Sequence, residues 1–139
     1  MSDCIFCKIV AGEIPSRTVY EDETTLAFLD AHPLAPGHTL VIPKAHYEGI
    51  GDTPPAETGD LFTVVGKLTP AVEAAVDAPA STVAVNNGEA AGQEVPHVHC
   101  HIIPRFEDDG AGAVHQLFAG TDLDEVKMET IAAAIREHQ

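Results

Sequence analysis

Gly92-Gln93-Glu94-Val95-Pro96-His97-Val98-His99-Cys100-His101-Ile102-Ile103-Pro104 places a histidine at every second position from 97 to 101, with Val98, Cys100 and Ile102 interleaved. A side-chain period of two belongs to an extended strand. The spacing therefore predicts a strand over 97–103 with three imidazoles on one face, about 6.5 to 7 Å apart, and the apolar residues on the other. The run 86–96, with its Asn, Gly and Pro residues, reads as the loop that feeds it, and 81–85 as the strand before that loop. Further upstream, Leu61, Val64, Val65, Leu68, Val72 and Val76 recur at three- and four-residue spacing. They predict a helix over 58–76 with one buried face, kinked at Pro70. Three more strands are expected at 18–20, 25–29 and 38–42, separated by Asp22-Glu23 and by the turn-rich run 33–37. A short helix over 4–11, capped by Asp3 and stopped at Gly12, precedes them. A last helix, capped by Thr121 or Asp122, carries Leu123, Val126, Ile131, Ala134 and Ile135 on its inner face. This order predicts an α+β fold: one domain over 1–139, built on an antiparallel sheet of about five strands with helices packed on one face.

Composition agrees with a single core. The chain has 139 residues, 45% of them apolar, and a mean hydropathy of +0.03, too apolar and too periodic for a disordered chain. No stretch approaches the roughly 18 to 20 uninterrupted apolar residues of a membrane span, and Met1-Ser2-Asp3-Cys4 lacks the basic-then-apolar order of a secretion signal. The expectation is a cytoplasmic protein. Seven basic residues stand against 22 acidic ones, a net charge of −15, with the acids scattered from Asp3 to Glu137. Such a surface repels nucleic acid and anionic membranes, so neither is an expected partner, and an anionic substrate requires a local positive site. Lysine occurs only at Lys8, Lys44, Lys67 and Lys127. This acid-rich, lysine-poor balance is that of halophilic proteins and predicts a fold that needs salt to screen its own repulsion.

Three alternate histidines have more than one physical reading. With 8 His in the chain, such a row arises by chance in roughly 3% of sequences of this composition. A three-histidine metal site is the second reading, since alternate strand residues can ligate zinc and leave a position open for water. Cys4 and Cys7 form a Cys-x-x-Cys pair, which reads as half a zinc site, a redox couple or coincidence. Redox is the weakest of these, because the preceding strand of a thioredoxin-like unit is missing.

The whole run 92–104 resembles the signature of the histidine triad (HIT) family. The resemblance extends to Ile5-Phe6-Cys7-Lys8-Ile9, to 27–30, to Pro36-Gly37-His38-Thr39-Leu40-Val41-Ile42-Pro43-Lys44-Ala45-His46 and to Asn86-Asn87-Gly88, in the right order. It is greatest for the Hint-like branch. It implies a nucleotide hydrolase or transferase that cleaves a purine nucleotide derivative, adenosine phosphoramidate-like, at the α-phosphate. His99 would be the nucleophile and form a nucleotidyl-histidine intermediate, with His101 and His38 on the phosphate. Asn86, Gly92, Gln93 and the backbone after them would offer hydrogen bonds to phosphate oxygens, and Asp30 would hold the ribose hydroxyls. Ile5, Phe6, Ile9 and Phe28 would sandwich the base. In some microbial members a zinc site joins the Cys-x-x-Cys pair to two histidines, here Cys4, Cys7, His46 and His97. A homodimer is implied as well.

Two departures from the family pattern matter for the leaving group and the dimer. Glu94 stands where many members have a small hydroxyl residue, and a carboxylate there repels a polyphosphate and favours a cationic amine. The chain also has no Trp and ends Glu137-His138-Gln139, without the tryptophan-bearing tail of many members. The alternatives are a dinucleoside polyphosphate hydrolase of the same family and a nucleotide-binding regulatory module with little turnover. Cys100 reads as a small buried hydrophobe, and His32, His115 and His138 as surface residues.

Overall fold

The computed structural model describes residues 3–139. The chain divides into two compact units, the first ending at Asp109 and the second running from Gly110 to Gln139.

The first unit is a five-stranded antiparallel sheet of β1 (Thr18–Glu21), β2 (Thr25–Leu29), β3 (Thr39–Pro43), β4 (Ala80–Ala84) and β5 (Cys100–Arg105), in the spatial order β1-β2-β3-β5-β4. Helix α1 (Ile5–Val10) precedes the sheet, and α2 (Pro55–Ala75) crosses from β3 to β4. Alternation along the strands divides the core in two. Ala27, Val41, Cys100 and Ile102 face α2 through Leu61, Val64, Val65, Leu68 and Val72. Leu26, Phe28, Leu40 and Ile42 pack with Phe6 and Cys4 at the start of α1. The long helix thus covers one face of the sheet, and the short one lies over the other. His101, flanked in β5 by the α2-facing Cys100 and Ile102, points to the α1 face.

Helix α2 begins earlier than its apolar spacing implies. Pro55 occupies the first turn, where its missing N–H costs nothing, and the helix runs on through Pro70 to Ala75. The cap of α1 also differs: Cys4, rather than Asp3, is the N-cap, its sulfur accepting from Cys7 N at 3.4 Å. Gly12, at φ +81°, follows the helix as its left-handed stop. Gly37 turns the chain into β3 at φ +88°, and a Cβ there would lie 3.0 Å from Val76 Cγ1 and 3.2 Å from Pro104 Cγ. Only glycine fits both the angle and the gap.

The regular strand β5 starts at Cys100, not at His97. Ladder pairing between β3 and β5 runs from Thr39↔Ile102 to Val41↔Cys100 and then stops. In the same register Pro43 would face Val98. A proline has no N–H for that ladder, and its carbonyl is taken by His97 Nε2 at 2.8 Å, while Val98 N donates to the Tyr47 carbonyl at 2.7 Å. The chain bends at 95–97, where His97 N donates to the Val95 carbonyl at 2.8 Å, so His97 and His99 both lie outside the ladder.

In the second unit, α3 (Glu125–Glu137) is capped by Asp124, whose carboxylate accepts from Lys127 N at 2.8 Å. Neither Thr121 nor Asp122 is the cap. The face expected to be inner is not buried: Val126 is 75% exposed and Ile135 58%, with Leu123 and Ile131 exposed too.

Candidate active site and metal cluster

The α1 face of the sheet gathers the imidazoles of His38, at the entry to β3, of His101 on β5, and of His99 just before it. His38 is 2% exposed and His99 7%. Their hydrogen bonds fix what each ring can do. His99 Nδ1 lies 2.8 Å from the His97 carbonyl, which can only accept, so Nδ1 carries the proton and Nε2 of the neutral ring keeps its lone pair. His101 stands beside it with ring centroids 5.0 Å apart, closer than the strand repeat. His38 Nε2 lies 2.9 Å from His101 Nδ1 and 3.7 Å from Asp30 Oδ2, and His38 Nδ1 accepts from Leu34 N at 3.1 Å.

Burial favours the neutral form of His101 and His38. It pushes His101 down to about 4, helped by the neighbouring His99 and His38. It likewise lowers His38, against the pull of Asp30. For His101 the sign follows from an unfolded value near 6.5: its contribution to stability is complete above that pH, is lost as pH falls towards about 4, and is constant below. The stability difference between wild type and His101→Asn should therefore shift against wild type by roughly 3 kcal/mol from neutral pH to about pH 4. Urea titrations of both proteins across that range test this; parallel curves would contradict it.

The other expected binding residues fall into three groups. Phe6 and Phe28 are buried and meet edge to face, with centroids 5.6 Å apart, and Phe6 also abuts the edge of His99 at 5.0 Å. They are core that backs the site, whereas Ile5 is 46% exposed and Ile9 half-buried. Asp30 Oδ1 accepts from His32 N at 2.9 Å, and its side chain stays 22% exposed. In the loop before β5, Asn86, Gly92 and Glu94 are exposed. Gln93 is not presented in the same way: its Nε2 donates to Glu48 O (2.7 Å) and Val95 O (3.0 Å), and its Oε1 accepts from Gly88 N (2.8 Å). It staples the loop. Asn87 adds a second tie, accepting from Ile50 N at 2.9 Å. Glu94 lines a cavity of about 510 Å³ with Asp3, Cys4, Ile5, His46, Val95 and Pro96. Lys44 pairs with Glu21 at 2.7 Å.

Beside the imidazoles, Cys4, Cys7, His46 and His97 bring four ligand atoms within 4.8 Å of one another. Cys4 Sγ is 3.3 Å and Cys7 Sγ 3.7 Å from His97 Nδ1, and Cys7 Sγ is 3.4 Å from His46 Nδ1. Tetrahedral zinc with its usual S and N bond lengths would set such edges at about 3.4 to 3.8 Å. His97 Nε2 lies 2.8 Å from the Pro43 carbonyl and must donate to it, which leaves the Nδ1 lone pair aimed at the sulfurs. Donor set and spacing both fit zinc. Asp30, His38 and His101 form a second group of ligand atoms within 4.8 Å, already joined by the hydrogen bond between the two rings.

Residues 11–108 match the HIT domain model. The chain shares 49% identity over 91% of its length, and 97% of the relative's, with an uncharacterized HIT-like protein of Methanocaldococcus jannaschii. It belongs to the HIT family. Within that family its relatives are of the Hint-like kind: adenylylsulfatase HINT3 of Arabidopsis thaliana (38% identity, 99% of this chain, 70% of the relative) and adenosine 5'-monophosphoramidase HNT1 of Candida albicans (37%, 90% and 85%). Solved structures share the fold, two of them as follows. A HIT family member from Bacillus subtilis superposes with a TM-score of 0.90 at 41% identity, covering 99% of this chain and 97% of the other. A Zn-bound histidine triad protein from Mycobacterium smegmatis gives 0.75 at 34%, covering 99% of each.

Proposed function

We propose that the protein is a nucleotide hydrolase or transferase that cleaves an adenosine phosphoramidate-like substrate at the α-phosphate through His99. One observation carries this reading: the His97 carbonyl, 2.8 Å from His99 Nδ1, holds the proton of the neutral ring there and leaves the Nε2 lone pair to attack. That lone pair attacks the α-phosphorus. The bond to the leaving group breaks, its electron pair departs with the leaving group, and solvent supplies the proton. Water then attacks phosphorus and gives up a proton to solvent, the P–N bond to His99 breaks, its pair returns to Nε2, and a nucleoside monophosphate is released. His101 donates to a non-bridging oxygen, with His38 behind it. Asp30 takes the ribose hydroxyls, Ile5 and Ile9 meet the base in front of Phe6 and Phe28, and Asn86 and Gly92 border the phosphates. Gln93 holds that loop in place, and Glu94 faces the leaving group.

A zinc ion held by Cys4, Cys7, His46 and His97 would be structural. It supplies a crosslink between the start of α1, the segment after β3 and the approach to β5. A Zn-bound relative and the tetrahedral spacing support the assignment. In this reading the protein works as a homodimer in the cytoplasm; among the described residues no helix is long and apolar enough to cross a membrane. The charge of −15 makes the fold halophilic in this reading. Its melting temperature should rise from dilute buffer to molar KCl, and a flat or falling trend would remove that part.

The activity is tested by AMP release from an adenosine phosphoramidate, from adenylylsulfate and from a diadenosine polyphosphate, in molar KCl. Faster phosphoramidate turnover supports the reading. Preference for the dinucleotide would move the protein to the polyphosphate branch, and AMP binding without turnover of any of the three would leave a regulatory module.

A further inference from the structure

We propose that the main-chain amide of Leu34 is a positioning group for the site, setting which nitrogen of His38, and through it of His101, carries the proton. An amide N–H can only donate, so the 3.1 Å contact from Leu34 N obliges His38 Nδ1 to keep its lone pair. The proton of the neutral ring then sits on Nε2. That N–H donates across 2.9 Å to His101 Nδ1, which must hold a lone pair in turn, and the His101 proton is left on Nε2, directed away from its partner. One backbone hydrogen bond is thus read out two rings away. The phosphate-facing role of that Nε2–H rests on the function proposed above, whereas the proton positions do not.

The surroundings keep this orientation. Reversing it would put a proton on His38 Nδ1 facing the Leu34 N–H, two hydrogens between nitrogens 3.1 Å apart. The other titratable groups facing His38 are Asp30, 3.7 Å away, His101 and His99; only Asp30 favours a second proton. The loop that holds the amide is itself tied, with His38 N donating to Ala35 O at 3.1 Å and Asp30 N to His38 O at 2.9 Å. The Leu34 side chain is 75% exposed, so what the residue brings to the site is its amide. The same bookkeeping argues against a metal between Asp30, His38 and His101. A metal on His38 Nε2 would need that lone pair while Nδ1 still kept its own for Leu34, leaving the ring without a proton.

The test replaces the Leu34 amide by an ester, using the α-hydroxy analogue of leucine, with Leu34→Pro as a second protein lacking the N–H and Leu34→Ala as one that keeps it. Ring nitrogen shifts of His38 and His101 by 15N NMR, and the pH profile of AMP release, are the readouts. Wild type and Leu34→Ala should show Nε2-protonated rings, whereas the ester and Leu34→Pro should show Nδ1 protonation of His38. In the ester, kcat/KM should fall about tenfold near pH 8, and the gap should narrow on acidification, because a protonated His38 donates from both nitrogens. A merely structural defect would lower activity equally across pH. Unchanged ring shifts in the ester, or Nδ1-protonated His38 in wild type, would overturn the proposal. Shifts that move as described in a protein releasing no AMP from any substrate would uphold it and sink the proposed function instead.

Discussion

His99→Ala should abolish AMP release, lowering turnover by at least about 10⁴-fold, while AMP binding weakens only modestly. The asymmetry follows from the proton inventory of the cluster. His99 Nε2 is the unprotonated nitrogen left over once the contacts to the His97 carbonyl, Leu34 N and between the two rings are counted. His101 presents an N–H in its place, and His38 has both nitrogens engaged. Alanine therefore removes the attacking atom without removing the groups that hold phosphate and base. Isothermal titration with AMP beside a turnover assay separates the two effects. A mutant within tenfold of wild type would rule out the covalent route, and equal losses for His97→Ala, His99→Ala and His101→Ala would point to a metal on the triad itself.

Cys4→Ser should cost the protein its zinc and lower the melting temperature by on the order of 10 °C. Three segments distant in sequence converge on that cluster: the sulfurs at 4 and 7, His46 after β3 and His97 before β5. Without the ion, four polar side chains packed edge to edge lose their common partner, and Cys4 at 8% and His97 at 0% exposure have little access to water. Turnover should fall less steeply than in His99→Ala, because in the proposed mechanism the cluster supports the nucleophile without touching substrate. Metal analysis of protein purified without chelator gives the direct check. Far less than one zinc per chain in the wild type would end the assignment, as would a melting temperature indifferent to chelator.

Much of this architecture was legible because periodicity and chemistry coincided. The three- and four-residue apolar spacing placed the buried face of α2, and the alternation at 97–101 pointed to the strand that begins at Cys100, three residues later than expected. What alternation could not give was the pairing partner. Extended chain becomes ladder only where a neighbour offers N–H and C=O groups, and Pro43 offers no N–H, so the ladder begins at Cys100. The caps moved from Asp3 to Cys4 and from Thr121 or Asp122 to Asp124 because several nearby side chains could each accept an N-terminal amide proton, and apolar spacing does not choose among them. The apolar stripe on α3 was readable as a stripe, but a stripe does not say what it packs against. Within the site, side-chain chemistry pointed to the histidines. The amide of Leu34 has no signature in a sequence, since every residue but proline carries one, and Gln93 gave no hint that its amide would be spent on Gly88, Glu48 and Val95.

On the halophilic reading proposed above, the neutral form that burial favours in His38 and His101 has a consequence in concentrated salt. Concentrated salt shortens the reach of a fixed charge to about 3 Å at 1 M, so a protein that captured phosphate with lysines and arginines would lose grip as the medium thickened with ions. In the site as proposed, the grip comes from the N–H dipole of His101 and from the loop at Asn86 and Gly92, short-range contacts that counterions neither shield nor release. Nucleotide affinity should accordingly stay nearly level between dilute buffer and molar KCl, as an AMP titration at the two extremes would read directly, even while the acidic exterior responds strongly to the same change.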